Sequence, residues 1–91
     1  MNAEGAFSAV LLTLTHNLRA RILDKRFSET TFGSFYISYA LPKGEGSIVN
    51  DRDQLFICDE PRGAGNCNLL FASIRHLNEQ ELASVLVAKL R

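Results

Sequence analysis

What most constrains this chain is a change of hydrophobic period along its first half. Phe7, Val10, Leu11, Leu14, Leu18 and Ile22 follow an i, i+3, i+4, i+7 rhythm, with neither Pro nor Gly between Ala6 and Phe32. That spacing gathers apolar side chains on one stripe of a helix and predicts a helix from about Ala6 to Lys25. Leu12, Ala20 and Leu23 widen the stripe towards a second contact, such as a dimer partner. In TTFGSFYISYALP the period drops to two. Phe35, Ile37, Tyr39 and Leu41 would line one face of a strand, and Tyr36, Ser38 and Ala40 the other. A chain that makes this switch buries its apolar surface by packing helix on sheet.

Pro42 ends the first strand run, and PKGEG has turn chemistry, with two glycines able to take positive φ. Ser47-Ile48-Val49 resumes extended structure. Asn50-Asp51-Arg52-Asp53 reads as a second tight turn or an exposed strand edge, and Gln54 to Cys58 as strand. After DEPRGAGN, the segment from Cys67 to Ile74 is read as strand rather than the front of a long helix, because Glu81 would interrupt a continuous apolar stripe. Asn78 and Glu81 have the spacing of a capping box, which starts a second helix near Glu79 with Leu82, Val85, Leu86 and Leu90 on its apolar stripe. The expected fold is therefore α+β in one domain over residues 1–91: a helix, three or four antiparallel strands and a helix, with both helices on one sheet face.

Ten Lys and Arg balance ten Asp and Glu among the 91 residues, so the formal net charge is zero. That balance argues against strong non-specific attraction to phosphate backbones. No positive charge precedes the apolar stretch near the N-terminus, and the stretch is too short for a membrane span, so the expectation is a soluble cytoplasmic protein. In that compartment Cys58 and Cys67 are expected as free thiols rather than a disulfide.

The stretch GAGNCNLLFASI resembles the nucleophile motif of the ovarian-tumour family of cysteine deubiquitinases at Gly65, Asn66 and Cys67. The resemblance implies a thiol acidified by a helix N-terminus, with backbone N–H groups to hold an oxyanion. Such a nucleophile needs a histidine within hydrogen-bond reach, and the chain has only His16 and His76. On one helix Cys67 and His76 would lie on opposite faces, about 13 Å apart along the axis. On a strand they would be further apart. Cys67 is thus read as scaffold, with no catalytic set. Cys58, Cys67 and His76 lack the close ligand pairs of zinc sites, and no cofactor or metal is expected.

The helix, strands, helix order resembles the double-stranded-RNA-binding domain in topology. Such a function would rest on Arg19, Arg21, Lys25, Arg26 and Lys43, but the start of the second helix reads NEQE, the wrong sign for phosphate. The cations from Arg19 to Arg26 are instead read as a helix-end feature, complementing the negative end of the dipole. The leading expectation is a non-enzymatic protein-interaction domain of inhibitor, immunity or regulatory type, binding a larger protein or a second copy. Its surface would be an outward sheet face carrying Tyr36, rimmed by Lys43, Glu45, Asp51, Arg52 and Asp53.

Overall fold

A computed structural model describes all residues, 1–91. Helix α1 (Ala3–Leu12) runs into a wide π turn (Thr13–Asn17). Five strands follow: β1 (Arg21–Ser28), β2 (Ser34–Leu41), β3 (Gly44–Asp51), β4 (Gln54–Cys58) and β5 (Cys67–Phe71). Helix α2 (Glu79–Leu90) ends the chain. The strands form one antiparallel meander in the order β1-β2-β3-β4-β5. The α+β class and the helix-sheet-helix order are as expected, with five strands in place of three or four.

The additional strand is β1, and it corrects the long first helix. Asn2 caps α1 by accepting the Gly5 N–H, so the helix starts slightly earlier than the apolar rhythm implied. It also ends sooner. The Thr13 and Thr15 hydroxyls donate back to the carbonyls of Ala9 and Leu11, a contact that competes with the backbone ladder and bends helices,. The Leu18 N–H reaches Thr13 across a π-type turn, and Arg19 adopts a left-handed φ of 53°. The next residues pair with β2, placing Ile22 beside Tyr39 and Phe27 beside Phe35. Phe7 of α1 meets both Phe27 and Phe35 edge-on at centroid distances of 5.4 and 5.2 Å, an arrangement aromatic rings favour,. The cations at Arg21, Lys25 and Arg26 therefore lie on an edge strand, not on the end of a helix.

Both helices cover the inner face of the sheet and run parallel. Each starts at one end of it, here the lower end, where the Met1 amino group donates to the carbonyls of Ile74, Arg75 and Leu77. They finish at the upper end, near the β2–β3 turn. Val10 and Leu14 from the first helical segment, Leu82 and Leu86 from α2, and Ile37, Ile48 and Leu55 from the sheet are wholly buried in one cluster. The capping box is half realised, since the Asn78 side chain accepts the Glu81 N–H. The expected strand after Cys67 also forms, although it ends at Phe71.

Gly46 faces inward opposite Tyr39, and a Cβ there would come within 2.6 Å of the Tyr39 oxygen and 2.7 Å of the Cys58 carbonyl. The missing side chain is what lets a buried tyrosine lie across β3, and that burial pushes the Tyr39 hydroxyl pKa up to about 12. Gly46→Ala should therefore lower unfolding stability by roughly 1–3 kcal/mol in urea titrations, the usual cost of overpacking. A raised pKa means that Tyr39 stays protonated in the fold when it would ionise in the unfolded chain. Stability should thus fall as pH rises from 10 towards 12, and Tyr39→Phe should remove that part of the alkaline loss,.

Candidate interaction surfaces

The outward sheet face expected to be free is half covered by the chain itself. The β4–β5 connection folds back across it as a strap, over β3 and β2 towards β1. The Ser47 hydroxyl donates to the Glu60 carbonyl at 2.7 Å and accepts the Gly63 N–H at 2.8 Å, while the Ser38 hydroxyl accepts the Arg62 N–H at 2.9 Å. Ser38 and Ser47 are consequently fully buried and hydrogen-bonded, as buried hydroxyls must be,. The tight Pro61–Gly63 turn at the tip needs left-handed backbone at Arg62 and Gly63, with φ of 58° and 72°.

Arg62 extends the strap to the edge strand, where its Nε donates to Asp24 Oδ2 at 3.0 Å. The Tyr36 hydroxyl donates to the same oxygen at 3.3 Å. Asp24 is held below its ordinary pKa, chiefly by the Ser38 hydroxyl; burial works the other way, and the Arg62 guanidinium and the Tyr36 hydroxyl lower it further. Tyr36, expected as an outward binding aromatic, is thus engaged within the protein. Below the strap a shallow depression of about 420 Å³ remains, floored by Tyr36 and Val49, with Arg26 and Arg62 among its lining residues.

The foot of the strap is closed covalently. Cys58 and Cys67 face each other across β4 and β5 and are joined in a disulfide, with no free cysteine left. This overturns the expectation of free thiols. Pairing at the strand ends puts the two residues directly opposite, as their places on either side of a turn allow; the free-thiol expectation rested on the compartment, not on geometry,. Cys67 on β5 has no thiol to ionise, and His76 lies beyond the far end of that strand, exposed in the connection to α2. His16 is exposed in the π turn.

The remaining expected site residues fall at opposite ends of the sheet. Lys43 lies in the upper β2–β3 turn and Glu45 just after it on β3, whereas Asp51, Arg52 and Asp53 lie at the lower β3–β4 turn, where φ of 50° at Arg52 and 67° at Asp53 suits a two-residue hairpin,. The length of β3, about 23 Å at the usual rise, separates them, so they do not form one rim. Among the cations, Arg21 and Arg26 share the outward face of β1 and Lys25 sits on the same strand. Arg19 occupies the bend before it, and Lys43 lies apart at the turn.

The lower end carries a feature the residue pattern did not single out. Phe32 is 76% exposed in the β1–β2 loop, in left-handed backbone at φ 53°, a conformation disfavoured for a bulky side chain,. Arg52, Asp53 and Arg75 surround a depression beside it, and Arg75 Nε is bound to Asp53 Oδ2 at 3.0 Å. A readable signal for Phe32 lay in its neighbours, since Thr30, Thr31 and Gly33 favour a turn and leave the ring outside β2. Arg75 had no such signal, because its segment is brought to the β3–β4 turn by tertiary contacts, the hydrogen bond from Ile74 N–H to the Asp53 carbonyl and its own bond to the Asp53 carboxylate.

No protein-family model, curated protein or solved structure matches this chain.

Closing the short loop covalently should stabilise the fold by roughly 2–4 kcal/mol through the unfolded state. The double variant Cys58→Ala with Cys67→Ala should lose about that much in urea unfolding, and its Arg62 and Gly63 amides should exchange faster than in the parent while β2 and β3 stay protected. For Asp24, a lowered pKa means stability that is present above the ordinary carboxylate value of 3.8 and lost as pH falls through the folded value,. Asp24→Asn should flatten the acid limb of stability measured across a pH series.

Proposed function

We propose that this chain is a small non-enzymatic interaction domain, of inhibitor, immunity or regulatory type, that docks on a larger protein through the lower end of its sheet. The observation that carries the reading is Phe32. Solitary exposed apolar side chains are ordinary, but this one combines a disfavoured backbone with an arginine-lined surround. Local strain of this kind gathers at binding sites. Aromatic and arginine side chains together are also the composition of interface hot spots.

The Asp53–Arg75 ion pair supports the same reading, because it ties Arg75 to the β3–β4 turn at the depression that Phe32 also lines, which lowers the ordering cost of association,. Of the rim expected from the sequence, Arg52 and Asp53 belong to this surface. The disulfide supports an oxidising compartment rather than the cytoplasm as the place of action, since cytosolic thiol buffers keep such pairs reduced,. No helix is long and apolar enough to cross a membrane.

Affinity capture from the native host should recover a stoichiometric protein partner with the parent chain. Phe32→Ala should weaken that binding by at least about tenfold, the effect of losing a hot-spot side chain, with unchanged melting. Light scattering distinguishes the self-association reading: a dilution-resistant dimer that Phe32→Ala dissociates would make a second copy the partner. Full binding retained by Phe32→Ala would remove this surface from consideration.

A further inference from the structure

We infer that the outer edge of β1 is a second recognition surface, for an extended acidic protein segment that adds to the sheet as a sixth strand. The chain as a whole is neutral, yet its charge is unevenly placed. β1 bears Arg21, Lys25 and Arg26, all exposed, and its one carboxylate, Asp24, is paired with Arg62 of the strap. Arg19 stands exposed just before the strand. A residue cluster legible as basic in the sequence is thereby laid along a strand edge, with a surplus of cations and no free anion on the strand.

β1 is a terminal strand of the sheet and pairs with β2 on one side only. Alternate N–H and C=O groups along its other side are left for a further strand, the backbone chemistry by which sheets accept extended peptides. The pairing irregularity between Ile22 and Asp24 confines the regular stretch to Asp24–Ser28. Cations on an edge discourage a second copy from pairing there, because like charges would be brought together. The same cations favour a segment rich in Asp or Glu, and steer it during approach. Arg62 contributes from the strap, since its side chain stays largely exposed beside β1 while its Nε is bound to Asp24.

This inference rests on the reading of the chain as an interaction domain, but the surface is separate from Phe32, so the two can fail independently. The test is an NMR titration of the disulfide-bonded protein with a short peptide alternating Glu and Val, beside a Lys and Val counterpart and a single-stranded oligothymidylate. Amide shifts should be confined to β1 and its outward N–H groups should exchange more slowly. Affinity should fall about tenfold as salt is raised to screen the charges. The double reversal Lys25→Glu with Arg26→Glu should abolish binding, whereas Phe32→Ala should leave it intact. Equal binding of the Lys and Val peptide would reduce the edge to general stickiness and overturn the assignment. Preference for the oligonucleotide would assign the cations to nucleic acid instead, and an absence of β1 shifts with the acidic peptide would refute the surface outright. The salt and peptide comparisons use the parent protein alone, so they stand even if the reversal variant does not fold.

Discussion

Packing on both faces of β2 and β3 governs this structure. β2 and β3 turn Phe35, Ile37, Tyr39 and Ile48 towards the helices and Ser38 and Ser47 towards the strap. The two coverings use different physics. On the inner side, apolar area is removed from water by parallel helices. On the outer side little apolar area is available, so the strap succeeds by satisfying each hydroxyl it buries and would be costly if it did not. The disulfide at its foot shortens the loop that must be ordered for those bonds to form.

Because the helices close the inner face and the strap covers part of the outer one, much of what remains for recognition lies at the periphery. The edge strands and the loop ends have backbone and side chains that no other part of the chain covers. At the lower end the helix starts, the β1–β2 loop, the β3–β4 turn and the segment before α2 converge, placing Phe32, Arg52 and Arg75 together although they are distant in sequence. Along β1 the strap pairs off the one carboxylate, and so leaves the cations of that strand unopposed. Fold and surface are linked in this way: the contact that anchors the outer covering also sets the charge of the exposed edge.

Much of the architecture was legible because it rests on local periodicity. The inward alternation of β2, the start of α2 at Asn78 and the extended run after Cys67 all follow from neighbours within a few residues. The Ala6 to Lys25 helix failed for a reason that is also physical. Ile22 satisfies helical spacing from Leu18 and, equally well, strand spacing, and two threonines that turn their hydroxyls back on the helix carry no weight in an apolar pattern. Tyr36 was correctly placed on the outward face, but its engagement with Asp24 depends on a strap whose route over the sheet no local rule describes.

The amino-acid sequence by itself determined that this chain packs helices against an antiparallel sheet, where most of its turns fall and which faces of β2 and α2 turn inward, since these follow from side-chain period and turn chemistry over short stretches. Only the tertiary structure decided that the cysteines bond, that the strap covers part of the outer face, that the basic cluster lies on a strand edge and that Phe32 shares a depression with two arginines. Each of these depends on which distant segments become neighbours, and pairing energies of that kind are set by the whole fold rather than by any window of residues.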